Sequence, residues 1–545
     1  MQCSLSFACF LAISICLTIS CRKSNTTTPE THGAGSAWVD DFTAKSGVNF
    51  VHDPGTTGRF FFPESIGSGV ALLDFDNDGR LDIFLLQNAG PNGSSKHQLY
   101  HQEPDGHFKN VSAGSGLEVA AYGMGVAVGD YDNDGSPDVL VTEYRRARLF
   151  HNDGGGKFSD VSQAAGLESS AWGISAAFTD YDRDGWLDLA IANYVENIET
   201  QQCFDRSGEH DYCGPSGFLP QATALFHNLG RDASGKVSFE DVTVKSGLAA
   251  EPGPGLGLTC ADFDGDGWPD ILVANDDKPN ALWMNQRDGT FKNEAIIRGI
   301  AYNAMGQPQA NMGIAIGDST GRGLFDIFVT HLIEESNILW RQGPPGAFLD
   351  QTAAAGLVGT QSRGTGFGTA MVDLNNDGAV DLAIVNGGVR HPRVDDGRPE
   401  LVPALGPHWS RYAERNQLFV NDGTGKFENV SSANPAFSAE YQVGRGLACG
   451  DLDNDGGMDL VVTSISGRAK IFRNIAPNRG HWLSVRAIDP ALGGRDAYGA
   501  QITVSSAGGT RVAWINPAYS YASSNDPRAH FGLGSAGQVD EIRVR

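Results

Sequence analysis

The chain has 545 residues, with 65 acidic against 40 basic side chains and a formal net charge of −25. This charge excludes a nucleic-acid-binding role, because binding to a phosphate backbone needs a basic surface. The length allows a large core and by itself suggests several domains. Glycine is abundant, at 70 residues, which favours many tight turns between short strands.

The N-terminal segment is typical of an export signal. Residues 5–20 are uncharged and largely apolar, shorter than the roughly 20 residues that span a membrane comfortably but of the length of a signal-peptide core. Ser20 precedes Cys21, and a polar tether follows at residues 22–37. This arrangement resembles a bacterial lipoprotein processing site.

We therefore predict a signal peptide over residues 1–21, with Cys21 as a lipidated first residue. Plain secretion and an uncleaved anchor are the alternatives. The protein is expected to be exported, either as a cell-surface or outer-membrane lipoprotein or in secreted form.

The segment Asp74-Phe-Asp-Asn-Asp-Gly-Arg-Leu-Asp82 has the spacing of a calcium-binding loop. Ca²⁺ prefers about six to eight oxygen ligands, which side chains at loop positions 1, 3, 5 and 9 and the carbonyl of position 7 supply. Glycine at position 6 permits the sharp turn. Five further copies begin at Asp130, Asp180, Asp262, Asp373 and Asp451.

The predicted metal ligands form six groups, each with four side chains and one backbone carbonyl. The side chains are Asp74, Asp76, Asp78 and Asp82; Asp130, Asp132, Asp134 and Asp138; Asp180, Asp182, Asp184 and Asp188; Asp262, Asp264, Asp266 and Asp270; Asp373, Asn375, Asp377 and Asp381; and Asp451, Asp453, Asp455 and Asp459. The carbonyls belong to Arg80, Ser136, Trp186, Trp268, Ala379 and Gly457. We expect about six structural Ca²⁺ ions, because loop oxygens fill the coordination sphere and catalysis needs an open position.

A seventh copy, Asp318-Ser-Thr-Gly-Arg-Gly-Leu-Phe-Asp326, has Thr320 and Arg322 at positions 3 and 5. A guanidinium in the centre of the loop can pair with Asp318 and Asp326 in place of a cation. We expect this loop to bind no metal.

The loops belong to a longer repeated unit. Each follows a glycine-rich apolar stretch and precedes a short apolar run such as Asp82-Ile-Phe-Leu-Leu86. A third segment with Asn-Asp-Gly turns follows, and phrases such as Asp160-Val-Ser-Gln-Ala-Ala-Gly-Leu167 indicate a fourth strand. Four short strands repeated seven times predict an all-β fold, a seven-bladed β-propeller.

Two departures from the repeat are also expected. Residues 42–48 resemble the fourth-strand phrase but precede the first loop, so we predict that they form an N-terminal strand that closes the ring. Long insertions are predicted at residues 203–220 and 387–415, where the spacing between loops increases.

Four cysteines lie beyond the leader. Cys203 and Cys213 flank a polar, glycine-containing insertion, and a disulfide between them is predicted in an oxidising compartment. Cys260 and Cys449 each precede an Asp loop by two residues within apolar runs. We interpret them as buried small hydrophobic residues.

The repeated phrase Asp-x-Asp/Asn-x-Asp-Gly-x-x-Asp, placed between a glycine-rich strand and an apolar strand, resembles the FG-GAP or VCBS repeat of integrin α-subunit heads and secreted bacterial propellers. The resemblance covers about residues 38–475 and implies a propeller with integrin-like calcium loops. The segments at His481, Arg495, Tyr521 and His530 resemble the ASPIC/UnbV domain, which predicts a small C-terminal β-domain over residues 476–545. Together the two parts are similar to the cartilage acidic protein 1 family.

Signatures of catalysis are weak. His391, His408, His481 and His530 occur in none of the usual metallohydrolase or serine-nucleophile motifs, and we predict no catalytic residues. Polar residues of the last domain, such as Arg495 and Asp496, are interpreted as partners in turn hydrogen bonds. Trp186 and Trp268 either stack on a sugar or, as we favour, pack against the next repeat.

Two functional hypotheses remain. The first is an exported calcium-binding propeller that serves as a cell-surface or extracellular binding or adhesion module for a protein or glycan. The alternative is a carbohydrate-active enzyme, a lyase or hydrolase, on a propeller scaffold. In either case we expect a monomer that contacts a membrane only through a lipid anchor on Cys21.

Overall fold

The computed structural model describes residues 36–196, 198–359, 363–391 and 398–545. The predicted signal peptide, Cys21 and most of the tether lie outside these residues. Residues 36–545 cluster into one unit, which is all-β apart from short helices. These are the α-helices Thr43–Ser46, Gly406–Ser410 and Pro435–Ser438 and the 3₁₀ turns Phe62–Ser65, Ile198–Thr200, Pro215–Gly217, Leu248–Ala250, Ser431–Ala433 and Pro490–Leu492. No helix in the described ranges is long and apolar enough to cross a membrane.

Most strands of the described chain belong to seven four-stranded antiparallel sheets. The first contains Val70–Leu73, Asp82–Leu85, Gln98–Gln102 and Phe108–Asn110. The second contains Gly123–Gly129, Asp138–Glu143, Arg146–Gly154 and Lys157–Asp160. The third contains Gly173–Thr179, Asp188–Asn193, Ala224–Arg231 and Val237–Asp241.

The remaining four sheets repeat this order. The fourth contains Gly255–Ala261, Asp270–Asn275, Ala281–Asn285 and Phe291–Asn293. The fifth contains Ile314–Gly317, Asp326–Val329, Ile338–Gln342 and Phe348–Asp350. The sixth contains Gly366–Val372, Asp381–Asn386, Gln417–Asn421 and Phe427–Asn429. The seventh contains Gly444–Gly450, Asp459–Ser464 and Lys470–Asn474, with Val39–Asp41 as its fourth strand.

The seven sheets follow one another in a closed order. The first strand of each sheet lies beside the first strand of the next sheet, and that of the seventh lies beside that of the first. These first strands are buried along almost their whole length. Their glycines allow the backbones of neighbouring sheets to approach closely, so the apolar core lies between successive sheets.

The prediction of an N-terminal strand at residues 42–48 was wrong by a few residues. The strand is Val39–Asp41, which pairs with Lys470–Asn474, and Thr43–Ser46 forms a helical turn. The Asp41 carboxylate accepts a hydrogen bond from the Thr43 N–H at 3.0 Å, an Asx turn that ends the strand.

The same error affects the phrase at residues 160–167. The fourth strand of the second sheet ends at Asp160, whose Oδ1 accepts a hydrogen bond from the Ser162 N–H at 3.1 Å. The Asp-Val-Ser phrase therefore marks the end of a fourth strand rather than the strand itself.

The C-terminal residues form three small antiparallel sheets. His481–Val485 pairs with Ala529–Gly534, Ile488–Asp489 pairs with Arg495–Asp496, and Gln501–Ser506 lies between Gly509–Trp514 and Val539–Val544. Their apolar side chains form one separate cluster around Ile502, Val504 and Phe531.

Residues 516–526, which we call the axial segment, connect Gly509–Trp514 to Ala529–Gly534 and pass along the inner strands of the sheets. The Ser524 N–H donates to the Val70 carbonyl at 3.0 Å, and the Leu72 N–H donates to the Ser524 carbonyl at 3.0 Å. Hydrogen bonds between the axial segment and the first strands of all seven sheets involve Val70, Leu72, Val126, Ser175, Phe178, Cys260, Ile314, Thr369 and Cys449. A C-terminal domain packed on the propeller was predicted, but this insertion was not.

The two long insertions lie between the second and third strands of the third and sixth sheets, whereas the Asp loops join first and second strands. Antiparallel pairing therefore places the insertions and the Asp loops at opposite ends of the sheets. A disulfide joins Cys203 to Cys213, and Cys260 and Cys449 are free and buried. Both predictions about the cysteines are confirmed.

Candidate functional site

Each Asp loop folds around the carboxylate of its first aspartate. In the first loop, Asp74 Oδ1 accepts from the Asp78 N–H and Oδ2 from the Gly79 N–H, both at 2.9 Å. Gly79 has a φ of +86°, which glycine adopts without the steric penalty of a side chain. The hydrogen bond from the position-6 N–H to the first aspartate recurs in all seven loops. The loop at Asp318, which lacks aspartates at positions 3 and 5, therefore has the same backbone turn.

The aspartate at position 9 joins each loop to the sheet. Asp82 Oδ2 accepts from the Phe75 N–H at 3.3 Å, and Oδ1 accepts from the Gln102 N–H at 2.7 Å. Both bonds have counterparts in all seven loops. Position 9 therefore holds the second and third strands in register with the loop.

Burial raises the pKa of several of these carboxyl groups. The pKa rises to about 8 for Asp82 and Asp373 and to about 7 for Asp188 and Asp459, because loss of hydration outweighs the stabilising backbone N–H bonds. Neighbouring carboxylates with poor hydration are stabilised in the charged form by a bound cation.

The oxygen donors of the loops fit a calcium ion. Asp74, Asp76 and Asp82 each place a ligand atom within 4.8 Å of the others. In the second and third loops, Oδ1 of Asp132 and Oδ1 of Asp180 are buried and have no hydrogen-bond partner within the described residues. Closely spaced carboxylate oxygens, some without partners, form the donor set that Ca²⁺ prefers.

The predicted position-7 residues lie in the same turns. In all six predicted loops the backbone N–H of position 7 donates to the carboxylate of position 5 at 2.8–3.0 Å, from Arg80, Ser136, Trp186, Trp268, Ala379 and Gly457. Trp186 packs against the core between the second and third sheets. The Arg183 guanidinium, from the third loop, lies 5.3 Å from the Trp268 ring centroid. Both tryptophans therefore have packing partners, but these come from the preceding repeat, whereas we favoured the next repeat.

Arginines neutralise some of the loops. In the fourth loop Arg298 lies 3.0 Å from Asp264 and Arg545 lies 2.7 Å from Asp262. In the loop of the seventh sheet, at Asp451, Arg473 contacts Asp459 at 2.7 Å.

The loops of the fifth sheet, at Asp318, and of the sixth sheet, at Asp373, differ from these. The Arg322 guanidinium pairs with Asp326 at 3.1 Å, as predicted, whereas Arg322 donates to Asp318 only through its backbone N–H, at 2.9 Å. In the part of the chain that the structure describes, Asp373 and Asp381 of the sixth loop have no ion-pair partner.

The two insertions meet at the opposite end of the sheets. The His391 N–H donates to Asp211 at 2.7 Å, His391 Nδ1 lies 2.7 Å from Asp205, and the Tyr412 hydroxyl donates to Asp211 at 2.8 Å. Because Asp205 and Asp211 belong to the disulfide-closed insertion and His391 and Tyr412 to the other, these contacts join the two insertions.

A cavity of about 650 Å³ lies between the insertions. Four arginines line it, namely Arg206, Arg390, Arg398 and Arg411. Two of these are also paired, Arg398 with Glu414 at 3.4 Å and Arg411 with Glu209 at 2.8 Å. Three carboxylates, those of Asp205, Asp211 and Glu400, line the same cavity, so guanidinium and carboxylate groups face one another across it.

Two families match the sequence. The FG-GAP-like repeat matches residues 74–141, 130–191, 262–329 and 395–462, and the family described as ASPIC and UnbV matches residues 492–545. The chain carries FG-GAP-like repeats and an ASPIC and UnbV segment. The matches include the Asp loops at Asp74, Asp130, Asp180, Asp262, Asp318 and Asp451 but not the one at Asp373.

Curated relatives of the chain are named cartilage acidic protein 1, in agreement with the resemblance. The Xenopus tropicalis protein is 25% identical over 508 residues, covering 87% of this chain and 69% of the relative. The Mus musculus protein is 26% identical over 340 residues, covering 54% of this chain and 52% of the relative. The chain thus spans about half the length of the mouse and human relatives.

Similarities to solved structures are weaker. The BP39L lectin from Burkholderia pseudomallei has a TM-score of 0.44 at 10% identity, covering 76% of this chain and 97% of the lectin. The exotype rhamnogalacturonan lyase YesX has a TM-score of 0.37 at 14% identity, covering 75% of this chain and 72% of the lyase. TM-scores of this size do not establish a shared fold or ligand.

Three histidines that lie beside the first three Asp loops were not predicted from the sequence. His101, His151 and His227 occupy the same register in the third strand, and each forms a metal-capable group with two loop aspartates. The signal in the sequence is an aromatic residue, a histidine and an amide in succession, as in Phe150-His-Asn152.

Three of the histidines named in the sequence analysis lie in two places. His391 and His408 lie beside Tyr412, with ring centroids 5.4 and 5.8 Å from its ring, and the Tyr212 hydroxyl is 3.1 Å from His408 Nε2. His530 Nε2 bonds Asn376 at 2.8 Å, and burial lowers the pKa of His530 to about 4. Arg495 Nε donates to Asn133 at 2.8 Å, so these ASPIC and UnbV residues hydrogen-bond to the Asp loops.

Proposed function

We propose that this protein is an exported, calcium-stabilised, seven-bladed β-propeller that serves as a cell-surface or extracellular binding or adhesion module. The seven sheets in closed order and the FG-GAP-like matches support the propeller. The disulfide in the first insertion supports an oxidising location outside the cytoplasm. The proposal includes a monomer and a lipid anchor on Cys21.

Calcium stabilises the fold in this proposal. About six ions bind the loops at Asp74, Asp130, Asp180, Asp262, Asp373 and Asp451, where carboxylate oxygens lie close together and the position-9 aspartate is buried. Each ion would hold the turn between the first two strands of a blade, and removing the ions would leave carboxylates that repel one another. The loops would have a structural role, while the insertions at the other end would remain available for a ligand.

The cavity between the insertions is the observation that carries the binding role. Its volume of about 650 Å³ lies within the range of about 300–1,000 Å³ typical of small-ligand sites. Arginine presents a planar fork that matches carboxylate and sulfate groups. The ligand class that fits four arginines best is an anionic glycan, and an acidic segment of a partner protein is the other candidate.

One contact favours the alternative function, a carbohydrate-active enzyme. His391 is buried and lies 2.7 Å from Asp205 at the edge of the same cavity. In a lyase or hydrolase, arginines would hold an acidic sugar, and a histidine paired with a carboxylate would transfer a proton to or from it.

A binding screen separates these functions. The full chain would be tested against neutral and anionic glycans and surface proteins, with and without chelator. The double variant Arg206→Ala/Arg390→Ala should lose retention of anionic glycans, whereas Arg543→Ala, which alters an exposed ion pair, should not. Retention that is the same for the double variant and the native chain would contradict the proposal, and unsaturated or shortened products would identify an enzyme.

The anchor is tested separately. Metabolic labelling with a fatty acid should label the native chain and not Cys21→Ser. Labelling of both, or of neither, would contradict lipidation of Cys21.

A further inference from the structure

The Asp loops differ in the side chain that the third strand of each sheet places beside them. The third strand of every sheet has an Asn or Gln at the same position. The residue before it is His101, His151 and His227 in the first three sheets and Met284, Arg341, Val420 and Arg473 in the others. Among these positions in the described chain, only the first three therefore offer an imidazole nitrogen to the loop. The difference separates the loops by chemistry rather than by backbone geometry.

In the first two loops the imidazole points at the central carboxylates. His101 Nε2 lies 3.2 Å from Asp76 and 3.5 Å from Asp78. His151 Nε2 lies 3.4 Å from Asp132 and 3.7 Å from Asp134. Two ligands that are each about 2.0–2.2 Å from a metal lie roughly 3.0–3.5 Å apart at octahedral or tetrahedral angles, which is close to these separations.

Hydrogen bonds and ion pairs within the first two loops, including the pair of Arg80 with Asp78, leave two buried polar atoms without partners. Within the described residues, His101 Nε2 is buried and makes no hydrogen bond. Asp132 is only 7% exposed, and its Oδ1 has no partner. The Asp132 oxygen nearest His151 is Oδ2, which also lies 3.4 Å from Arg231. Oδ1 is therefore the buried oxygen that a cation would satisfy, and without a partner it is costly.

A second carboxylate supports each imidazole from behind. His151 Nδ1 lies 3.0 Å from Asp153, and His101 Nδ1 lies 3.7 Å from Glu103. Histidines that bind metals usually donate their other N–H to a carboxylate, which fixes the ring and makes the ligand nitrogen more basic. The third loop lacks this feature, because His227 Nδ1 itself bonds the position-9 aspartate Asp188 at 3.0 Å.

We infer that the first two loops form a second class of metal site, in which an imidazole nitrogen joins the loop carboxylates and a transition ion of the Zn²⁺ class binds in preference to Ca²⁺. Imidazole is a poor ligand for Ca²⁺, which prefers oxygen donors, and a good ligand for Zn²⁺. The ligands would be Asp76, Asp78 and His101 in the first loop and Asp132, Asp134 and His151 in the second. The inference rests on the proposal that the loops hold metal.

The test is a zinc titration of the full, chelator-stripped chain in excess Ca²⁺. We expect one tightly bound Zn²⁺ in each of the two loops, and Co²⁺ in its place should give the visible absorption of a nitrogen-ligated ion. His101→Gln and His151→Gln should each remove one zinc equivalent. Asp153→Asn should weaken the second site by about 10- to 100-fold, because it removes the support of the imidazole.

Two matched variants serve as controls. His107→Gln changes an exposed histidine that lies 3.2 Å from Asp105 and outside the loops, and it should leave zinc binding unchanged. Val420→His places an imidazole at the equivalent position of the sixth loop, with Asp422 two residues later, and it should add one zinc equivalent.

The outcomes separate the two proposals. If Ca²⁺ binds but excess Ca²⁺ prevents zinc binding, or if His101→Gln and His151→Gln bind zinc as the native chain does, the histidines act only as counter-ions and this inference fails alone. If neither Ca²⁺ nor Zn²⁺ binds, the proposed calcium loops fail as well. Thermal unfolding of each variant in Ca²⁺ verifies that a lost site is not a lost fold.

Discussion

Ser520 and Ile314 exchange two backbone hydrogen bonds, one of 2.6 Å from the Ser520 N–H and one of 2.9 Å from the Ile314 N–H. This pair fastens the axial segment to the first strand of the fifth sheet, and other backbone or side-chain hydrogen bonds fasten it to the remaining six. The ASPIC and UnbV residues are therefore part of the interior of the repeat array. Changes that displace the axial segment should destabilise the whole protein.

Gly69→Ala tests the space reserved for the axial segment. A Cβ at Gly69 would lie 2.5 Å from the Ala522 carbonyl oxygen and 2.8 Å from that of Met124, so we expect a loss of about 1–3 kcal/mol in the free energy of unfolding. Denaturant titration measures it. Gly214→Ala is the control, because a Cβ there meets nothing within 4 Å and φ is −103°. Equal stability of the two variants would contradict the tight fit.

Arg445 should be essential for stability. It is fully buried and donates to the carbonyls of Ser65, Gly387, Gly388 and Gly444 at 2.7–3.0 Å. Arg445→Met leaves these carbonyls without their donor, and we expect a loss of about 3 kcal/mol or more. Arg543→Met removes an exposed pair with Glu541 and should cost at most about 1 kcal/mol. A tolerated Arg445→Met would refute the role of the guanidinium in joining the second insertion to the seventh sheet.

The chelator-treated protein should become less stable as the pH rises from about 4 to about 8. The pKa of Asp82 and of Asp373 is about 8 in the folded chain, against about 3.9 for an unfolded aspartate. Since the folded state binds more protons across this interval, its stability falls as the pH increases. Calcium, which stabilises the ionised form, should reverse the trend. Thermal midpoints at several pH values, with and without calcium, measure both effects, and identical profiles would exclude metal at these carboxylates.

The loop at Asp318 can be converted into a metal site. Thr320→Asp combined with Arg322→Asp restores the aspartates at positions 3 and 5 and removes the guanidinium that pairs with Asp326. Because the backbone turn is already present, we expect one additional bound Ca²⁺ in the calcium stoichiometry measured by equilibrium dialysis. Asp377→Asn in the sixth loop is the opposite control and should remove one ion. A folded double variant with unchanged stoichiometry would show that backbone geometry, rather than Arg322, prevents binding.

Local chemistry made the loops and strands predictable. Aspartates at alternate positions before a glycine determine a turn that forms through hydrogen bonds between residues of the same nine-residue segment, as in Asp74–Asp82. The apolar runs after the loops became second strands for the same reason. The N-terminal strand was misplaced because residues 42–48 resemble the fourth-strand phrase, whereas Asp41 ends the strand and begins an Asx turn.

Long-range contacts could not be predicted in this way. His391 and Asp205 are 186 residues apart, and nothing in the composition of either insertion identifies the other as its partner. The axial segment contains small and polar residues such as Ser520, Ala522 and Ser524, which give no periodic signal. Their burial depends on close contacts with glycines of distant strands, such as those of Gly69 and Gly125 with Ala522 and of Gly446 with Ser523.

The pairing of Val39 with Asn474 determines when the protein can finish folding. The seventh sheet is complete only when Asn474 has been synthesised, 435 residues after Val39, and the axial segment is made later still. Contacts between residues so far apart in the chain form slowly. Unpaired sheet edges would remain exposed until the axial segment is made, so the seven sheets together with this segment, rather than any single repeat, are the unit that resists aggregation and proteolysis.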